Sequence, residues 1–264
     1  MRKYLRVLKG LAALTSFATI IPTRVYNISL AAEYFYLIPI IGVLEGLTAS
    51  LPALIPAAPY LTAAIVAALT YLITGLNHVD GLADFIDAVY SGRRGEEALR
   101  IMKDPHRGSA AVATTSIVVV LTYASVVAIV SELGSWLDVA TVLCVAHVLA
   151  AESMFALAAT AREPPYSGLG KLFIESSKSL WKAAASVLTS ILILALLVVF
   201  RTHLLLPAVA AAAAAAASLA IVRHASLKTL GFISGDVLGA VFEASKTSSL
   251  LALALALTSA AAVH

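Results

Sequence analysis

Charge and sulfur are both scarce in this chain. Asp, Glu, Lys and Arg make up 12% of its 264 residues, about half the share usual in soluble globular proteins, and Cys144 is the one cysteine. A single thiol excludes a disulfide framework and a cysteine-rich zinc site; within the apolar stretch 139–151 it reads as a small buried hydrophobe. The N-terminus is basic and then apolar but lacks a small-residue cleavage site, so a cleaved signal peptide is not expected. No basic block marks a nucleic-acid surface. Despite a net charge of +3 and a pI near 9.0, Lys and Arg are spread over short segments beside apolar runs, which is the pattern of membrane topology.

What fills the chain instead is hydrocarbon. Apolar residues make up 61% and the mean hydropathy is +0.95, values that belong to a protein dissolved in a bilayer. The apolar runs predict an all-α polytopic membrane bundle of about seven spans, near 34–56, 60–76, 109–131, 137–160, 182–200, 204–222 and 248–263. Little chain is left for a soluble domain, so residues 1–264 are expected to form one membrane domain. With a cytoplasmic N-terminus, every Lys and Arg except Arg201 falls at or beside the cytoplasmic face, the orientation that the positive-inside rule selects. The segments 77–108, 161–181 and 223–247 are then cytoplasmic connections. Within residues 1–30, Arg2, Lys3, Arg6 and Lys9 alternate with leucines, which predicts an interfacial helix that ends before Pro22. Pro52, Pro56 and Pro59 interrupt the first two spans, and a re-entrant pair is the alternative there. The alanine-rich run 208–217 is read as close helix packing.

Chemistry concentrates in one segment. Residues 78–87 read His-Val-Asp-Gly-Leu-Ala-Asp-Phe-Ile-Asp, and in a helix Asp80, Asp84 and Asp87 fall within an arc of roughly 60° on one face. Three ionised carboxylates at a membrane surface repel one another and call for a counter-charge. Oxygen ligands without cysteine favour a hard divalent ion, Mg²⁺ or Mn²⁺. Gly81 permits close approach of a helix or ligand. Asn77 is a candidate helix cap, with Asp80 near the positive end of that helix. Further along, Lys103 and Arg107 bracket Asp104 and precede Gly108 in a segment that also holds Arg93, Arg94 and Arg100, a mixture suited to phosphate oxygens.

A second cluster, Gly235-Asp236-Val-Leu-Gly239 with Glu243 and Lys246 after it, fits a tight turn beside a ligand or metal, or a helix start capped by Ser234 or Asp236. Glu45 and Glu152 lie within apolar runs, where an ionisable group is either functional or half of a buried pair. His147 and His224 are read as packing or interface residues.

In chain order these pieces resemble the cobalamin synthase family of adenosylcobinamide-GDP ribazoletransferases. The resemblance rests on Ser16-Phe17 and Ile21-Pro22, on Ile38-Pro39-Ile-Ile-Gly42 with Gly46, and on His78-x-Asp80-Gly81-Leu-Ala-Asp84-x-x-Asp87. Ile101-Met102-Lys103-Asp104 through Gly108, Gly168-Leu-Gly170 and Gly235-Asp236-x-x-Gly239 complete it. One departure stands at Ala151-Glu152-Ser153, where family members often carry an arginine. The resemblance implies transfer of a cobinamide-phosphate unit from adenosylcobinamide-GDP to α-ribazole or its 5′-phosphate, with Mg²⁺ as cofactor and GMP released at the cytoplasmic face of the cell membrane. Asp80, Asp84 and Asp87 are then expected metal ligands, with Asp104 and Asp236 joining or orienting them. Lys103, Arg107 and Gly108 are expected at the substrate phosphate, and His78 or one aspartate accepts the hydroxyl proton. Partners are those small molecules and the lipid bilayer, without nucleic acid; the sequence leaves a homo-oligomer open.

Two other functions compete. A CDP-alcohol phosphotransferase also carries an Asp-rich motif at a helix end, but its Ala-Arg after the glycine is missing here, where Ala83 precedes Asp84, and His78 is extra. An ion-coupled transporter would concentrate polar residues near mid-membrane, whereas here they crowd one surface.

Overall fold

The computed structural model describes residues 2–261, with side chains from 4 to 259. Among the described residues the chain is all helix, without strands. Helix α1 (Arg2–Ala18) buries Ala13 and Leu14 and leaves Tyr4, Leu5 and Leu8 uncovered by protein, the amphipathic pattern expected of its sequence. The side chains of Arg2 and Lys3, part of that expectation, lie outside the described residues. Arg6 pairs at 2.9 Å with Glu33 of α2 (Ile28–Glu33), and Asn27 caps α2 by accepting the Leu30 N–H.

Among the described residues six helices are long and apolar enough to cross a membrane. The first is α3 (Ile38–Ser50) with its flanking turns, making a candidate span of Phe35–Leu54; it is followed by α7 (Ser109–Glu132), α8 (Trp136–Ala159) and α10 (Leu180–Val198). The last two are α11 (Leu205–Thr229) and α12 (Gly235–Ala261). A seventh arises if α4 (Pro59–Leu72) and α5 (Asn77–Tyr90), bent by 79° at their junction, make one broken span. The bundle is thus multi-pass. α8 is its axis, 78% buried over its most apolar window, whereas α7, α10 and α11 are 17–22% buried and turn residues such as Ile117, Leu192 and Val209 outward. That much exposed hydrocarbon is stable only against lipid.

Glycine spacing sets the central packing. A Cβ at Gly42 would lie 2.8 Å from His147 O, and one at Gly46 would lie 2.6 Å from Cys144 Cα. The two glycines four residues apart therefore let α3 lie backbone to backbone on α8, as small residues do between membrane helices. The Ile38-to-Gly46 piece of the resemblance is thus a packing motif. At the opposite end from α5, Arg201 Nε donates to Asp138 Oδ1 at 2.8 Å, and Trp136 Nε1 donates to Ser50 O at 3.1 Å.

One sequence expectation changes here. Residues 223–247, read as a connection, are mostly helix: α11 runs to Thr229 and α12 starts at Gly235, with a turn at 230–234 between them. The candidate span is accordingly Gly235–Ser259 rather than 248–263, whose last residues lie outside the described ones. The physical reason is a buried pair. Lys246 Nζ lies 3.0 Å from Glu243 Oε1, one turn earlier on the same helix, and both residues are 0% exposed, so each charge offsets the cost of the other. The apolar run that ends at Leu76 is set off from the acidic segment by a sharp turn, at the boundary expected. Gly75 and Leu76 both take φ of +63°, which only glycine adopts freely, and the chain turns there so that α5 lies across the end of the bundle.

Candidate active site

The acidic segment forms helix α5, and its three aspartates face one stretch of chain. Arg107 donates through Nη2 to Asp80 and pairs through Nη1 with Asp84. Asp87 accepts the Gly108 N–H at 2.7 Å and the Ala111 N–H at 3.0 Å. All three thus share one face, as their spacing predicts, and that face meets Arg107–Ala111. Asp84 is the most enclosed of the Arg107 partners, with 14% of its side chain exposed against 63% for Asp80. Asp87 has a second duty, because the amides it accepts open α7, where N–H groups lack partners within the helix. It fixes the start of a spanning helix to the acidic helix.

The short helix α6 (Glu96–Met102) leads into the loop that carries the cations. Asp104 accepts the His106 N–H at 2.8 Å and lies 2.9 Å from His106 Nδ1, a local turn that returns the chain toward α5. His106 holds the Asp104 carboxyl below the usual carboxylate range, chiefly through that backbone N–H. Asp104 therefore faces His106 and not the α5 carboxylates. Lys103 reaches the other way, with Nζ donating to Asp236 Oδ2 at 2.7 Å.

Asp236 comes to the site because α12 packs on α5 without intervening side chains. A Cβ on Gly81 would stand 2.7 Å from Asp236 O, and one on Gly239 would stand 3.1 Å from His78 Cα. The glycine of each motif makes room for the backbone of the other, Gly81 for Asp236 and Gly239 for His78. Gly170, at the start of α9 (Leu169–Ser177), meets the backbone of Gly235 in the same way. Ser234 caps α12 by accepting the Val237 N–H at 3.3 Å, which leaves Asp236 free to face Lys103. The residue before α5 is Leu76, and no side chain caps that helix, so Asn77 does not take the capping role its position suggested. His78 stacks on Phe242 of α12, with ring centroids 4.3 Å apart.

The five carboxylates expected around one ion do not form a single cage. Among the described residues no three His, Cys, Asp or Glu side chains stand close enough to hold a metal. Asp80 and Asp84 share Arg107, Asp236 holds Lys103, Asp87 caps α7, and Asp104 shapes its own loop. The arrangement is a belt of carboxylates neutralised by movable cations at one end of the bundle, which suits an anionic substrate able to compete for the arginine and lysine.

Comparison with known proteins gives this end of the bundle its context. The description of the family that matches residues 10–254 is cobalamin-5-phosphate synthase. The chain belongs to that family. Its members are enzymes, and the match takes in every element from α2 to α11 and most of α1 and α12. Curated relatives agree. A protein of Alkaliphilus oremlandii is 32% identical over 220 residues, 81% of this chain and 82% of its own. One from Halorubrum lacusprofundi is 30% identical over 226 residues, 83% of this chain and 86% of its own. One from Pyrobaculum calidifontis is 32% identical over 241 residues, 90% and 95% respectively. All three are named adenosylcobinamide-GDP ribazoletransferase. No solved structure matches the chain.

Two groups escaped a firm sequence reading. Glu152, at the departure from the family pattern, accepts hydrogen bonds from Ser186 at 2.7 Å and Ser190 at 2.8 Å, joining α8 to α10 away from the acidic belt. Glu45 is 1% exposed in α3, within electrostatic range of Lys246 and Glu243. Glu243 and Lys246 fall in the segment expected as a connection, yet they are buried in α12, and their three-residue spacing is the signal that places them on one helix face.

Proposed function

We propose that the protein is an Mg²⁺-dependent adenosylcobinamide-GDP ribazoletransferase. On this proposal it joins adenosylcobinamide-GDP to α-ribazole or its 5′-phosphate and releases GMP on the cytoplasmic face of the cell membrane. The observation that carries it is the convergence of Asp80 and Asp84 on the one guanidinium of Arg107. Two carboxylates that already embrace a single cation suit a hard divalent ion, because Mg²⁺ is usually held by one or two carboxylates with substrate phosphates and water filling the rest. Bound there, Mg²⁺ would neutralise charge on the pyrophosphate.

The chain's own groups then divide the work. Arg107, displaced from its aspartates by the nucleotide, moves to phosphate oxygens together with Lys103, and both offset the charge that develops there. The Gly108 N–H stays with Asp87, so Gly108 acts through the backbone turn that presents Arg107. Asp104 maintains the same turn through His106, and Asp236 orients Lys103. A ribose hydroxyl forms the new bond to the phosphorus next to cobinamide while the bond to GMP breaks in line. Its proton passes to His78 or to a neighbouring aspartate.

The test is GMP release by detergent-purified protein given adenosylcobinamide-GDP, α-ribazole and Mg²⁺, with each omitted in turn. GMP and a looped corrinoid are expected only with all three. A folded sample that makes neither would point to a CDP-alcohol substrate or to transport.

A further inference from the structure

A cavity of about 280 Å³ opens beside the acidic belt. It is not part of the phosphate-handling surface, because its walls are apolar and aromatic. Phe17 of α1 stacks on Phe173 of α9 with centroids 4.3 Å apart, and Phe173 meets the edge of Phe35 at 5.0 Å. All three rings line the cavity together with Met154 of α8. Its polar edge is made by Asn77, His78 and Asp236, the last of which holds Lys103. Segments far apart in the chain meet there: the Ser16-Phe17, Ile38, His78, Gly170 and Gly235–Gly239 pieces of the family pattern each contribute wall.

We infer that this cavity binds the aromatic base of α-ribazole. The inference rests on the ribazoletransferase proposal and names which part of which substrate the apolar site takes. Both substrates bring flat rings, but guanine carries amide and amino groups that mostly apolar walls leave unpaired, so the less polar base of α-ribazole is the ring that this cavity can desolvate. The cavity has room for one bicyclic ring. Aromatic walls favour such a ring through stacked and edge contacts. A base seated among Phe17, Phe35 and Phe173 leaves its ribose at the His78–Asp236 edge, where the attacking hydroxyl meets both a proton acceptor and the lysine-held phosphate. Base preference is then decided by Met154, Ala18 and the three phenylalanines, not by the acidic belt.

Ala18 lines the cavity and is 7% exposed, so Ala18→Leu fills part of it. The KM for α-ribazole is expected to rise about tenfold or more, the scale of one or two misplaced methylenes. The KM for adenosylcobinamide-GDP should stay within about twofold. A riboside with a smaller imidazole base should recover most of the loss. Should Ala18→Leu fail to fold, Met154→Ala enlarges the same cavity, and equilibrium dialysis of labelled α-ribazole should then show weaker binding. An unchanged α-ribazole KM in a folded Ala18→Leu sample, or a rise confined to adenosylcobinamide-GDP, would overturn the assignment and leave a lipid chain or a corrin side arm as the occupant. Dialysis also separates this inference from the function it rests on. Wild-type protein that binds α-ribazole without making GMP sinks the reaction alone, and wild-type protein that makes GMP while the filled variant behaves identically sinks the cavity alone.

Discussion

Asp236 and Lys246 stand ten residues apart on α12, about 15 Å along the axis, and each belongs to a cluster of carboxylates with a cation. At the Asp236 end the partners are solvent-exposed in part: Lys103 is 52% exposed, Arg107 35% and Asp80 63%. At the Lys246 end nothing is exposed. Lys246 sits on Glu243 and 4.2 Å over the Tyr71 ring, and Tyr71 in turn hydrogen-bonds Thr122 at 2.8 Å. The same ingredients therefore do opposite things. Exposed pairs are worth about 0–1 kcal/mol and exchange readily, so a substrate phosphate can take their place. Buried pairs cannot exchange, and breaking one leaves an uncompensated charge in low dielectric. On the proposed function the outer cluster is the one that substrate takes apart, whereas the inner one holds α12 against α4 and α7.

Substitutions sharpen that contrast. Lys246→Met should have the largest effect, a loss of about 3–5 kcal/mol because the buried carboxylates lose their cation, and thermal unfolding in detergent would read it. Adding Glu243→Gln should restore part of the stability; no change in either variant would show that the pair is not structural. Asp84→Asn should do the reverse, lowering GMP release by about 10²–10³-fold while the unfolding midpoint stays within a few degrees. GMP release that survives this change removes Asp84 from the machinery. Gly81→Ala is intermediate, since the new methyl meets Asp236 O; about 1–3 kcal/mol of overpacking should appear as lower stability together with weaker turnover. The smallest effect belongs to Asp104→Asn. The carboxamide still accepts the His106 N–H, so activity near neutral pH should change by less than about threefold, against the collapse expected of a metal ligand. The wild-type turn has a pH signature of its own. A carboxyl held low in the folded state stabilises above its unfolded pKa, and that contribution fades as pH falls through the depressed value. A lower protection factor for the His106 amide in acid, after correction for intrinsic exchange, would report it, and Asp104→Asn should abolish the difference.

Legibility in the sequence followed hydropathy closely and charge poorly. The spans at 109–131, 137–160 and 182–200 were placed to within two residues because long uninterrupted apolar runs leave the backbone no alternative to a helix. The start of α12 was misplaced by thirteen residues, since a hydropathy window penalises Glu243 and Lys246 singly and cannot register that they neutralise one another. The face shared by Asp80, Asp84 and Asp87 was readable from spacing alone. What they face was not: Arg107 approaches through a turn made by Asp104 and His106, and Asp236 approaches through two glycines on different helices. Those are tertiary facts with no periodic trace in the sequence.

The Glu243–Lys246 pair also bears on how the protein is made. A helix entering a bilayer is judged residue by residue, and a lysine or an acid near its middle weighs against insertion by about 2.5–3.5 kcal/mol. Two such residues a turn apart can go in as one neutral unit, yet their remaining lone pairs and protons still want partners, which Thr70 O and the Tyr71 ring supply from α4. α12 is therefore a poor candidate for independent insertion and a good one for insertion against helices already in place, so that Asp236 would reach Lys103 only once α4 is there to receive the pair.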